Sequence, residues 1–193
     1  MQPEVVIFAV GNRSRGDDAI GPLLLERLAS WLGAEAQAGG FALIEDYQLQ
    51  IEHALDLQGK RLALFIDAGC GTPAPLAFYA IEPARSPVAR STHELPPQGV
   101  LDVYRQVVLA EPPPSFVLCV RGERFELGEG LSGAAKAHVE AAWRQLTRLC
   151  REPDAARWKA MAKNPIQHKG ISPEGTFPSS GIETFGAPPL VLP

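Results

Sequence analysis

Residues 5–12 read VVIFAVGN, and this stretch decides the fold class. The first six of these residues are apolar and rich in β-branched side chains, and the pair Gly11-Asn12 is a typical turn signal. An apolar run without polar alternation indicates a strand that is buried on both faces, as the strands of a parallel sheet are. The sequence therefore predicts a buried parallel strand at the start of the fold.

Strand and helix patterns alternate along the chain that follows. Further strands are predicted at residues 41–45, 61–66, 76–81 and 115–120. Helices are predicted from residue 20 onward, at residues 49–57, at residues 97–109, and from a Ser132 cap to residue 149. This alternation is typical of a three-layer α/β/α sandwich with a mostly parallel sheet.

Length and composition exclude several classes of protein. A chain of 193 residues fits one compact domain with or without a tail. Its net charge of −4 supplies no basic face, which argues against nucleic-acid binding. No apolar run approaches the ~20 residues that span a bilayer, and the first residues do not resemble a signal peptide. We therefore expect an acidic, cytoplasmic monomer without membrane insertion.

The last part of the chain has a different composition. Residues 151–193 are rich in proline and glycine, and apolar periodicity ends near Met161. The sequence therefore predicts a domain at residues 1–150 and a flexible tail at residues 151–193. The three cysteines are far apart, so they form neither a disulfide framework nor a zinc knuckle.

The loop after the first strand carries two adjacent acids, Asp17 and Asp18. It lacks the glycine spacing of a dinucleotide loop and the Gly-Lys-Ser/Thr of a phosphate loop. Acids at a helix start can simply cap the helix and favour its dipole. The pair allows both roles, with Asp17 structural and Asp18 available for chemistry.

Other polar candidates follow the third and fourth strands. Asp67 follows residues 61–66, and His93 lies in the connection before residues 97–109. If the first and third strands are neighbours, their carboxyl ends bring Asp67 and Asp18 to one edge of the sheet. Two carboxylates and an imidazole can form an open site for nickel, zinc, iron or manganese. Cys70 is an alternative candidate, as a thiol nucleophile.

The chain resembles the hydrogenase maturation endopeptidases, which process the large subunit of nickel–iron hydrogenases. The resemblance spans about residues 4–150 and depends on three motifs in order. These are Gly11-Asn12 followed by Asp17-Asp18 and Gly21, the strand ending in Asp67-Ala68, and the sequence Ser91-Thr92-His93-Glu94-Leu95 before a helix. The family often has glutamate at its first metal position, where this chain has aspartate.

The resemblance implies a five-stranded twisted sheet with one antiparallel strand. It also implies that Asp18, Asp67 and His93 are the catalytic and metal-ligating residues. They would bind nickel that the large-subunit precursor supplies, so no permanently bound cofactor is expected. The reaction implied is removal of a short C-terminal extension from that precursor. The first loop offers candidate substrate contacts at Asn12, Arg13, Arg15 and Asp17.

Other functions remain compatible with the residues alone. A self-sufficient metallohydrolase with resident zinc would use the same ligand types. A non-catalytic nickel-site chaperone would bind the metal without cleaving a peptide. A nucleotide-binding enzyme with the same class of sheet is disfavoured, because the acids of the first loop would repel phosphate.

Overall fold

The computed structural model of the chain describes residues 4–33, 40–84 and 95–162. Its strands are β1 (Val5–Val10), β2 (Phe41–Asp46), β3 (Leu62–Gly69), β4 (Leu76–Ile81) and β5 (Ser115–Arg121). A short 3-10 helix (Gly16–Ala19) leads into the first α-helix. The α-helices are α1 (Ile20–Leu32), α2 (His53–Asp56), α3 (Pro97–Val108), α4 (Gly133–Arg151) and α5 (Ala155–Met161).

The five strands form one sheet in the order β2-β1-β3-β5-β4. The β1–β2, β1–β3 and β3–β5 pairs are parallel, and the β4–β5 pair is antiparallel. The predicted fold class is therefore confirmed, including the single antiparallel strand. The order also confirms that the first and third strands are neighbours, which places their carboxyl ends at the same edge.

Helices cover both faces of the sheet, and each face has its own hydrophobic core. One core joins the sheet to α1, α4 and α5 and includes Ile7, Leu24, Leu28, Leu64, Leu118, Leu146 and Trp158. The other joins the sheet to α2 and α3 and includes Phe8, Ala54, Phe65, Val100, Leu101 and Val117. Successive residues of the central strands enter opposite cores. This explains why β1 is apolar throughout.

Two elements differ from the sequence-based prediction by more than two residues at one end. The helix expected at residues 49–57 contains only α2. The reason is that the Gln50 N–H donates to the His53 Nδ1 at 2.9 Å, and the His53 N–H donates to the Gln50 carbonyl at 3.2 Å, which forms a tight turn. β3 is longer than expected, because Asp67 to Gly69 continue the ladder with Cys119 to Arg121 of β5. Asp67 is therefore held within a strand.

The folded part continues past residue 150, where the sequence analysis placed the end of the domain. The side chain of Trp158 in α5 is fully buried. Its indole N–H donates to the Leu149 carbonyl at 3.1 Å, and its ring meets the edges of Phe78 and Phe116. The predicted tail beyond Ala162 lies outside the described residues. No helix in the described part is long and apolar enough to cross a membrane.

Candidate active site

The candidate site lies at the carboxyl ends of β1 and β3. Helix α1 begins in close contact with these strand ends. A Cβ on Gly21 would stand 2.5 Å from the Val10 carbonyl oxygen and 3.2 Å from that of Ile66. Only glycine permits this close approach. The 3-10 helix before α1 is thereby held beside β3, so Asp18 and Asp67 are brought to one edge of the sheet.

The carboxylate of Asp18 is held in a tight backbone cradle. The Asn12 N–H donates to Asp18 Oδ2 at 2.9 Å. Gly11 has a φ of 141°, and a Cβ there would lie 2.0 Å from the Asp18 carbonyl oxygen and 3.4 Å from Oδ1. The turn after β1 therefore needs glycine for its φ and for space. The Gly11-Asn12 pair of the sequence motif therefore fixes the position of Asp18.

The environment of Asp18 disfavours its charged form. Burial raises the pKa of Asp18, while the Asn12 N–H and the positive charge of Arg15 act in the opposite direction and do not cancel the effect. A partly desolvated carboxylate of this kind is stabilised by a cation that approaches it. The residue is therefore suited to binding a metal ion.

Asp67 projects from β3 on the same face as Cys119, its register partner on β5. The Ala68 N–H donates to Asp67 Oδ1 at 2.7 Å. The Cys119 thiol contacts the Thr72 hydroxyl, with 2.9 Å between sulfur and oxygen. Burial raises the pKa of Cys119 to about 11, against the effect of the Thr72 hydrogen bond and with support from the charge of Asp67. Cys119 is thus a thiol at neutral pH, without the thiolate that a nucleophile needs.

Asp17 has a structural role. Its side chain is fully buried and accepts hydrogen bonds from the N–H groups of Glu123, Arg124 and Ser132 and from the Ser132 hydroxyl, at 2.7 to 3.0 Å. Ser132 in turn caps α4 by accepting from the Ala135 N–H at 3.1 Å. The hypothesis that Asp17 contacts substrate is corrected here, because its oxygens are occupied in the interior.

Arg13 and Arg15 hold the first loop to neighbouring segments. The Arg13 guanidinium donates to both carboxylate oxygens of Glu45, at 2.7 and 2.8 Å, and to Glu26 at 2.5 Å. The Arg15 Nε donates to the Phe125 carbonyl at 2.9 Å. These contacts explain how the loop is fixed. Substrate contacts by Arg13, Arg15 and Asn12 stay predictions.

Comparisons with known proteins identify solved structures of similar fold. No protein-family model and no curated protein matches the sequence. Among solved structures, the hydrogenase maturating endopeptidase HybD from E. coli is 21% identical, with 79% of this chain and 94% of that chain covered and a TM-score of 0.58. The [NiFe] hydrogenase maturation protease HycI from Thermococcus kodakarensis is also 21% identical, with 78% and 94% covered and a TM-score of 0.58.

A hydrogenase 2 maturation peptidase from a Thaumarchaeota archaeon is 22% identical, with 76% of this chain and 97% of that chain covered and a TM-score of 0.53. The chain has the fold of the hydrogenase maturation endopeptidases. At this level of identity the likeness concerns the fold. It confirms the fold that the resemblance implied and shows that the likeness extends over nearly the whole of those proteins.

The third predicted ligand on this maturation-endopeptidase fold, His93, lies outside the described residues. The structure places Asp18 and Asp67 at the same edge of the sheet, and the roles of all three residues as metal ligands stay predictions. Within residues 4–33, 40–84 and 95–162, there is no group of three or more histidine, cysteine, aspartate or glutamate residues that could hold a metal ion. In the sequence, His93 lies four residues before Pro97, the first residue of α3.

The sequence analysis missed one charged residue at this edge of the maturation-endopeptidase fold. Arg121 ends β5, on the same sheet face as Cys119 and Asp67, and its Nη1 donates to the Thr72 carbonyl at 3.1 Å. The signal was present, because Arg121-Gly122 follows a predicted strand just as Asp67 does.

Proposed function

We propose that this chain is an endopeptidase that removes a short C-terminal extension from the nickel-loaded large-subunit precursor of a nickel–iron hydrogenase. The observation that carries the proposal is that Asp18, in the 3-10 helix after β1, and Asp67, near the end of β3, lie at the carboxyl edge of adjacent strands. This arrangement occurs on a fold that the chain shares with hydrogenase maturation endopeptidases.

In this proposal Asp18, Asp67 and His93 bind the nickel that the precursor carries. Nickel accepts both carboxylate and imidazole ligands, so the donor set suits it. The metal belongs to the substrate and serves as a recognition anchor. A precursor without nickel would lack this anchor and would escape cleavage.

The chain fixes the orientation of the two carboxylate ligands before the substrate binds. The Asn12 N–H and the close packing of Gly11 orient Asp18, and the Ala68 N–H orients Asp67. Donors that are already ordered lose little conformational entropy on binding. Anchoring the precursor at this edge would hold its scissile peptide near the site, and such positioning lowers the barrier to hydrolysis.

Mass spectrometry of the intact precursor tests the activity. The nickel-loaded precursor is incubated with the purified chain, and its mass is followed over time. We expect a loss that corresponds to one C-terminal fragment. A stable complex in which the precursor keeps its full mass would contradict the proposal and support a nickel-site chaperone.

Metal analysis distinguishes this proposal from a zinc hydrolase. The chain is purified without chelators, its metal content is measured, and it is then incubated with nickel-free precursor. We expect no stoichiometric zinc and no cleavage of the nickel-free precursor. One zinc per chain, together with cleavage of the nickel-free precursor, would support a self-sufficient metallohydrolase.

A further inference from the structure

The guanidinium of Arg121 has an unusual environment. Within residues 4–33, 40–84 and 95–162, the Arg121 Nε is the one buried side-chain nitrogen or oxygen without a hydrogen-bond partner. The Nη1 atom donates to the Thr72 carbonyl, and no carboxylate in the described part of the chain forms an ion pair with Arg121. In the described part of the chain, this permanently charged group thus has one neutral acceptor, at Nη1, and a buried Nε–H without any.

The unpartnered Nε belongs to the edge of the guanidinium that usually binds carboxylates. The Nε–H and one Nη2–H of arginine point in the same direction and match the two oxygens of a carboxylate. Arg13 uses this edge in the same chain, where its Nε and Nη2 donate to Glu45 at 2.7 and 2.8 Å. A buried N–H without an acceptor destabilises the protein and calls for an explanation.

The position of Arg121 supplies that explanation. In the β3–β5 ladder, Arg121 is the register partner of Gly69, and Cys119 is the partner of Asp67. Residues two apart in a strand share a face and are separated by about 7 Å along the strand. Arg121 is therefore one step further than Asp67 toward the carboxyl edge, on the same face of the sheet. A polypeptide bound at Asp67 would pass within its reach.

We propose that Arg121 is a substrate-binding residue whose Nε–Nη2 edge binds a carboxylate of the polypeptide substrate. This inference rests on the proposed endopeptidase function. The carboxylate would give the Nε–H an acceptor and neutralise the charge of the guanidinium. It comes from an acidic side chain of the C-terminal extension or from the end of that extension.

A purely structural role for Arg121 makes the opposite prediction about stability. If the residue serves only to hold the Thr72 carbonyl, its removal lowers the melting temperature. If Arg121 instead serves to bind a substrate carboxylate, its Nε–H is unsatisfied in the free protein. Arg121→Met then keeps the apolar part of the side chain and removes this unsatisfied donor. The melting temperature should then stay the same or rise.

The test compares Arg121→Met and Arg121→Lys with Arg124→Met. Arg124 is a suitable control because its exposed guanidinium pairs with Glu129 at 3.3 Å on the surface. Values of KM and kcat are measured on nickel-loaded precursor, and melting temperatures are measured on the same samples. We expect Arg121→Met to raise KM about tenfold or more without lowering the melting temperature. Arg121→Lys should recover part of the loss, and Arg124→Met should match the wild type.

Two altered precursors identify the carboxylate. In one, the acidic side chains of the extension become amides, and in the other the chain end is amidated. One of these changes should raise KM for the wild type and leave Arg121→Met unaffected. The inference is overturned if the wild type cleaves and Arg121→Met retains the wild-type KM, if its melting temperature falls, or if neither precursor has an effect. If the wild type does not cleave, the proposed function fails first and this inference falls with it.

Discussion

Asp17 and Asp18 are neighbours in sequence with opposite surroundings. Asp17 is fully buried among four hydrogen-bond donors, whereas the half-buried Asp18 receives one backbone N–H, from Asn12. The donors around Asp17 stabilise its charged form, and the burial of Asp18 destabilises its charged form. Of two adjacent acids, one therefore stabilises the fold, and the other is partly buried at the edge of the sheet with its charged form disfavoured.

Exchanging each acid for its amide should separate these roles. We expect Asp17→Asn to lower the free energy of unfolding by about 3 kcal/mol or more, because buried donors lose a charged acceptor. Asp18→Asn should leave the free energy of unfolding within about 1 kcal/mol of the wild type, because the charged form is disfavoured there. Urea denaturation measures both. Equal losses in the two variants would contradict the assignment of roles.

The contribution of Asp17 should depend on pH. Burial alone would raise the pKa of Asp17, but the N–H groups of Glu123, Ser132 and Arg124 and the Ser132 hydroxyl outweigh it and lower the pKa below the ordinary 3.8. A depressed pKa in the folded state stabilises the protein fully above about pH 3.8, and that stability is lost as the pH falls through the folded pKa. The difference in unfolding free energy between wild type and Asp17→Asn should therefore shrink below that pH. A difference that is constant down to pH 2 would contradict this account.

The turn between β1 and the 3-10 helix is the element that positions Asp18. Gly11→Ala should disturb it, since a Cβ at 2.0 Å from the Asp18 carbonyl oxygen cannot be accommodated and the φ of 141° is unfavourable for alanine. We expect a drop in precursor cleavage together with a loss of stability. Gly130→Ala is the matched control, because nothing lies within 4 Å of its Cβ position. Equal activity of the two variants would show that the turn does not fix the site.

Helix α5 is the element that completes one of the two cores. A chain that ends at residue 150 loses Trp158, which packs against Phe78 and Phe116, whereas a chain that ends at residue 162 keeps it. Removing a fully buried tryptophan costs about 3–5 kcal/mol. The shorter chain should therefore have the lower melting temperature of the two. Equal melting temperatures would show that α5 adds nothing to the core.

Strongly patterned elements could be predicted from the sequence, and those set by long-range contacts could not. The apolar run of β1 and the helical spacing of apolar residues in α4 can be recognised within each element, because they reflect which of its own residues are buried. The extension of β3 through Asp67 depends on hydrogen bonds to β5, which no local pattern records. The shortening of the helix before Leu57 depends on the ring of His53.

The same distinction applies to the candidate site. The paired acids Asp17 and Asp18 were recognised from sequence together with the option that one is structural. Which donors surround each acid depends on Glu123, Arg124 and Ser132, more than a hundred residues away in the chain. Arg121 was missed because the sequence does not show that its buried Nε lacks a hydrogen-bond partner.

At the scale of the whole molecule, the strand order determines where chemistry can occur. Parallel strands β1 and β3 lie side by side, so loops that are distant in sequence meet at their carboxyl ends. This arrangement is shared with hydrogenase maturation endopeptidases at about 21% identity. The fold is thus maintained while most side chains differ, and the assignment of function depends on the few residues at this edge.

In the proposed function, Asp18 and Asp67 bind the nickel of the substrate. Rates of cleavage are measured for nickel-loaded and nickel-free precursor with the wild type, Asp18→Asn and Asp67→Asn. We expect the wild type to cleave only the nickel-loaded precursor and each variant to lower kcat/KM by about 100-fold or more, because a metal ligand is lost. Equal cleavage of both precursors by the wild type, or a near wild-type rate in either variant, would contradict this proposal.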